Sequence, residues 1–94
     1  MIKHVYLYKL LDGVSKQAVA ERLMTLRSHI PYMTHMEVGL NFKSAENAYD
    51  LMECCEFRTM EDFLKFGMDD YHEKIRQYMK TVAIHGVKID CEMD

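Results

Sequence analysis

Two of the five histidines, one glutamate in an otherwise apolar strand pattern and a pair of tyrosines are the residues here whose chemistry goes beyond packing. His72 lies in Asp70-Tyr71-His72-Glu73, which has capping-box spacing with Asp70 as the cap and Glu73 able to reach back to it. In the first turn of a helix, the positive end of the macrodipole favours a neutral imidazole and therefore a general base, while Asp69, Asp70 and Glu73 favour the charged form. The plainer reading is a first-turn histidine facing solvent. His4 falls in a stretch that, read at period two, puts Ile2, His4, Tyr6 and Tyr8 on one face and Lys3, Val5, Leu7 and Lys9 on the other. A ring-lined wall with polar tips suits a small-molecule pocket. A core histidine bonded to a backbone carbonyl is the alternative.

Glu53 sits mid-strand on the face of Tyr49, Leu51, Cys55 and Phe57. A buried lone charge is costly, so its carboxyl must find partners or stay protonated, and a bond to the hydroxyl of Tyr6 or Tyr8, or to His4, is expected. A register error on this strand is the competing explanation. The three cysteines form no CxxC pair, and adjacent Cys54 and Cys55 point to opposite faces of a strand. His29 and His35 flank Pro31 without HxH or HExxH spacing. No metal and no cofactor is expected. Nine methionines fill irregular gaps or, less plainly, make an adaptable binding surface.

The elements that must hold these groups follow from periodicity. After the first strand, Leu11-Asp12-Gly13-Val14 is turn chemistry and Ser15 an N-cap, opening a helix of about four turns with Val19, Leu23, Leu26 and Ile30 as its stripe and Pro31 as its end. Residues 34–42 read as a second strand in which Thr34, Met36 and Val38 share a face and Gly39 marks a bulge. Residues 43–48 are a polar loop and 49–57 a third strand. Thr59 caps a short helix with Met60, Phe63, Leu64 and Gly67 inward. The helix after Asp70 carries Tyr71, Ile75, Tyr78, Met79 and Val82 as its stripe, with His85-Gly86 as its stop. Val87, Ile89 and Cys91 alternate with Lys88, Asp90 and Glu92 in a last strand.

Ninety-four residues make a single domain, 1–94, that buries only about 60 to 65% of its unfolded surface alone. A net charge of −3 and dispersed lysines and arginines argue against nucleic acid. No apolar run approaches twenty residues, which argues against a membrane span and a signal peptide, and the odd thiol count fits a reducing, cytoplasmic setting.

The order β-α-β-β-α-β is the split βαβ, ferredoxin-like α+β arrangement, with four antiparallel strands in the order 4-1-3-2 and both helical regions on one face. The other face, with Val5, Leu7, Met52 and Cys54, is then bare in a monomer, and a second copy's sheet is its natural cover.

The segments Ile2 to Lys9, Asp12-Gly13-Val14-Ser15, Pro31, Glu37-Val38-Gly39-Leu40-Asn41, Tyr49-Asp50-Leu51, Glu56-Phe57, His72 and Val87-Lys88-Ile89-Asp90 together resemble the stress-responsive A/B barrel (Dabb) family across the whole chain. The resemblance implies a homodimeric α+β barrel. It also implies, by analogy with a plant polyketide cyclase of that family, a pocket between sheet and helices in which His4 and His72 match the two important histidines and Phe66 stands where that enzyme has a tyrosine. Two kinds of function follow. One is cofactor-free lyase or cyclase chemistry on a small hydrophobic, phenolic or polyketide-like carbonyl compound, with His72 as base and Tyr6, Tyr8, Glu53, Phe66, Met36 and Leu23 lining the pocket. The other is a non-catalytic stress-associated dimer whose cavity is filled by Phe66, Met36, Leu23 and Leu26. Related barrels that act as cofactor-independent monooxygenases supply a third reading.

Overall fold

In the computed structural model, which describes residues 1–94, the period-two stretch at the start forms β1 (Ile2–Leu10). It is followed by α1 (Lys16–Met24), α2 (Leu26–His29), β2 (Met33–Leu40), β3 (Leu51–Phe57), α3 (Met60–Gly67), α4 (Asp70–Val82) and β4 (Ala83–Glu92). The four strands form one antiparallel sheet in the order β2-β3-β1-β4, which is the expected 4-1-3-2 order read from the other edge. β1 and β3 are therefore central.

Side-chain alternation assigns the two sheet faces. Ile2, Leu10, Met36, Leu51, Cys55 and Phe57 pack with Val19, Leu23, Leu26, Ile30, Phe66, Ile75 and Met79 in one apolar core between sheet and helices. On the opposite face, Val5 pairs with Cys54 and Ile89, and Leu7 with Met52 and Val87. Val87 and Ile89 stay 41% and 59% exposed. Cys54 does not: at 3% exposure it is already buried within its own protomer, between Val5 and Glu37 in register.

Local signals held where they matched the long-range pairing. Gly13 adopts φ +82° in the first turn, a conformation that a Cβ disfavours. The Ser15 hydroxyl accepts from Ala18 N at 3.1 Å as the cap of α1. The four-turn helix is broken once, at Thr25, whose hydroxyl donates to Arg22 O at 2.6 Å and accepts from Tyr71 Oη of α4 at 2.6 Å.

Other boundaries moved. The irregularity in β2 lies between Met33 and His35, so Thr34 is the extra residue, exposed, and Gly39 pairs regularly with Met52. Phe63 and Phe66 form the inner side of α3 because both meet Phe57, at 5.9 and 4.9 Å between ring centres, while Met60 and Leu64 stay exposed. The cap of α4 is Asp69, which accepts from Tyr71 N and His72 N, and Glu73 turns to Arg76 instead of back to the cap. His85-Gly86 is no helix stop. The chain passes from Val82 straight into β4 because Ala83 and His85 pair with Leu10 and Lys9 of β1.

Candidate functional site

Gly86 and Lys88 replace bulky apolar groups on the inner face of β4, opposite Tyr8 and Tyr6 respectively. The gap they leave beneath α4 is a cavity of about 300 Å³. Its wall includes His4, Tyr6, Tyr8 and Glu53 from the sheet and His72, Arg76, Met79 and Lys80 from α4. A smaller recess of about 150 Å³ shares His4, His72, Arg76 and Lys88 with it and adds Phe63, Phe66 and Asp90. The two openings meet at the histidines.

Gly86 is required there by close approach. A Cβ at that position would lie 2.4 Å from Cε1 of Tyr6, closer than real Cβ contacts occur. With glycine, the Tyr6 ring lies against β4 and stacks on Tyr8 at 4.4 Å and 11° between ring planes, which gives the cavity a flat aromatic floor.

His4 is buried, and its Nδ1 is held by Asp90 Oδ1 from the adjacent strand. A carboxylate only accepts, so this bond puts the proton on Nδ1 and leaves Nε2 as the free ring nitrogen, the arrangement by which a carboxylate orients a histidine base. Asp90 escaped the reading of the sequence as a site residue. Its inward alternation was visible, but the cross-strand partner lies 86 residues away in the chain.

His72 is half-buried in the first turn of α4, its ring stacked on Phe66 at 3.7 Å and 10°. Nδ1 lies 2.9 Å from both the Phe66 carbonyl oxygen and Arg76 Nη1. A carbonyl only accepts and a guanidinium only donates, so one tautomer satisfies one of the two. Nδ1–H bonded to Phe66 leaves a lone pair at Nε2. Arg76 donating to Nδ1 leaves Nε2–H as a donor. Burial, aided by the Arg76 charge and opposed by the Phe66 carbonyl, pushes this imidazole down to about 4, so it is neutral at physiological pH.

Glu53 faces the helices as read, 3% exposed. Tyr8 Oη donates to its Oε2 at 3.4 Å and the Cys55 thiol to its Oε1 at 3.7 Å. Burial pushes the carboxyl above the usual carboxylate range, against His4, Cys55 and Tyr8, which all favour its ionised form. The same burial, with Glu53 alongside, pushes the Tyr8 phenol and the Cys55 thiol up.

Phe66 is buried and borders only the smaller recess, while Met36 and Leu23 do not line the cavity at all. Both are sealed in the core under α1. Leu23 and Met36 share the inner side of the sheet with the cavity but lie where the helices leave no room. His29 stacks on Tyr71 at 3.7 Å and His35 lies 3.7 Å from Glu37, so the two histidines beside Pro31 diverge.

The match to the stress responsive A/B barrel domain runs over residues 2–93. No curated protein matches the sequence. Among solved structures, an Arabidopsis thaliana protein is 21% identical with a TM-score of 0.85, covering 100% of this chain and 96% of its own. A dimeric, ferredoxin-like Bacteroides fragilis protein of unknown function is 21% identical with a TM-score of 0.78, over 98% of this chain and 95% of its own. The hydroxynitrile lyase of Passiflora edulis is 12% identical with a TM-score of 0.85, over 99% and 93%. At these identities the likeness is one of fold. With the family match covering nearly every residue, this chain belongs to the stress responsive A/B barrel domain family.

Proposed function

We propose that the cavity under α4 binds a small carbonyl compound with an aromatic or apolar body, phenolic or polyketide-like, and that the two histidines move a proton on it in cofactor-free lyase or cyclase chemistry. The observation that carries this reading is the convergence of His4 and His72, from separate elements, on one cavity of about 300 Å³, a volume in the range of small-ligand sites. His72, with Nδ1–H on Phe66, takes a proton through Nε2 from the carbon next to the carbonyl. The C–H electron pair then moves to the carbonyl oxygen as an enolate, and Glu53, whose burial favours the protonated, hydrogen-bond-donating form of its carboxyl, faces it from the sheet. Phe66 stacks on His72 and has no hydroxyl to offer, so the phenols in the wall are those of Tyr6 and Tyr8.

The reading includes a second copy of the chain. The exposed Val87 and Ile89, continuous with Val5, Leu7 and Met52, form an apolar sheet face of the kind a partner sheet covers, and solved relatives are described as dimeric. Sedimentation equilibrium tests it: a dimer that Ile89→Glu dissociates is expected, and a monomeric wild type overturns it. Three free thiols fit a cytoplasmic setting, and no helix is long and apolar enough to cross a membrane.

A non-catalytic dimer remains the second reading, favoured by the filled core under α1. A thermal-shift screen of phenolic and polyketide-like compounds separates the two. The proposal expects hits whose shift shrinks in His72→Ala and whose turnover disappears. Shifts and turnover unchanged by that substitution would remove His72 from both binding and catalysis.

A further inference from the structure

We propose that the cavity selects an anionic ligand, an aromatic or apolar carboxylate, whose charge is met by Lys80 and Lys88. The inference rests on the cavity being a ligand site, as proposed above, and adds the class of molecule it takes.

The wall carries charges of one sign. Arg76, Lys80 and Lys88 line it with His85, and its only carboxyl is Glu53. That carboxyl is buried, and burial favours its uncharged form. Of the neighbouring carboxylates, Glu73 is met by Arg76, while Asp90 accepts from His4 Nδ1 and borders the smaller recess with Lys88. Arg76 is itself committed, donating to Gly67 O at 3.1 Å and meeting Glu73 and His72. Lys80 and Lys88 form no ion pair with any residue of the chain.

Two ammonium groups without an ion pair line one cavity in a chain whose net charge is −3. Lys88 is on the inner face of β4 by register, opposite Tyr6, while its neighbours Val87 and Ile89 lie on the other face. Lys80 approaches from α4. The same wall holds the stacked Tyr6 and Tyr8 rings and the apolar Met79, Ala83 and Ile84. A stacked aromatic pair and two cations in one wall match a planar body with one carboxylate end. An inward lysine can also serve only to blunt an edge strand against aggregation, and β4 is an edge. Such a lysine would have no effect on ligand charge preference.

The test uses 2-naphthoate and its neutral isostere 2-naphthamide, titrated calorimetrically into the wild-type protein and into Lys80→Gln/Lys88→Gln at low salt. The expected result is about tenfold tighter binding of the carboxylate, lost in the double variant while amide binding stays unchanged. Equal affinities in the wild type overturn the anion preference and leave the cavity as a site for neutral ligands. A preference that persists in the double variant overturns the assignment to these lysines. If neither probe binds, the cavity reading falls with it. Unchanged circular dichroism of the double variant keeps these outcomes from being confused with misfolding, since both lysines are exposed.

Discussion

Beneath α1 the inner sheet face is closed by Val19, Leu23 and Met36, all buried; beneath α4 the same face is left open over His4, Tyr6, Tyr8 and Glu53. Interiors normally pack to crystal-like density, so an opening lined by titratable groups is costly to keep. The closed half does what a small fold requires for stability. The open half spends part of that stability on an arrangement of histidines, a buried carboxyl and cations that packing alone does not call for. Its position follows from one edge strand, whose inner residues Gly86, Lys88 and Asp90 give α4 nothing apolar to rest on.

The largest effect is expected in the aromatic core between β3 and α3. Phe57 is fully buried and meets Tyr32, Phe63 and Phe66. Phe57→Ala is expected to cost about 3–5 kcal/mol in urea unfolding, enough to unfold a marginal domain.

In the open half Gly86→Ala is expected to cost less, about 1–3 kcal/mol, because the Tyr6 ring can yield where a packed core cannot. The ring must then leave its place on Tyr8, and altered aromatic NMR shifts of Tyr6 and Tyr8 would report it.

Smaller effects come from the titrating groups. Because the His72 pKa is lowered in the fold to about 4 from an ordinary 6.5, the unfolded chain binds that proton first as pH falls. The His72 contribution is therefore whole above pH 6.5 and is lost progressively toward pH 4. Urea midpoints across that window should fall less in His72→Gln than in the wild type. Glu53 runs the other way. Its raised pKa means the folded chain keeps the proton longer, so its contribution is present below the ordinary carboxylate pKa and fades as pH rises through the raised one. Glu53→Gln should flatten that decline. The smallest expected change is Ser15→Ala, about 1 kcal/mol for the lost cap of α1.

Much of the fold was legible because its patterns are local and repeated. Period-two alternation in β1, the stripe from Val19 to Ile30 and the caps at Ser15 and Thr59 gave the elements, and the element order implied the sheet. Where neighbouring signals competed, long-range pairing decided. Asp69 and Asp70 are both cap-forming residues, and the structure uses the first. His85-Gly86 has the composition of a helix stop, yet β1 recruits it as strand. At the site, alternation told which side of the sheet His4 and Glu53 face. It did not tell where along that side the helices leave room, so Leu23 and Met36 were expected at a pocket they do not line. Asp90 was missed because its histidine lies 86 residues away and only strand pairing brings the two together, whereas Arg76 stands one helical turn after His72 and its i,i+4 spacing was the signal that could have found it.

Met79 lines the cavity and Met36 lies in the closed core, which gives each half its own methyl reporter. Methionine-methyl and histidine-ring NMR spectra recorded while a thermal-shift hit is added measure the distinction most directly. The account predicts that the signals of Met79, His4 and His72 move while Met36 stays fixed. Movement of Met36 with the two histidines unchanged would contradict it.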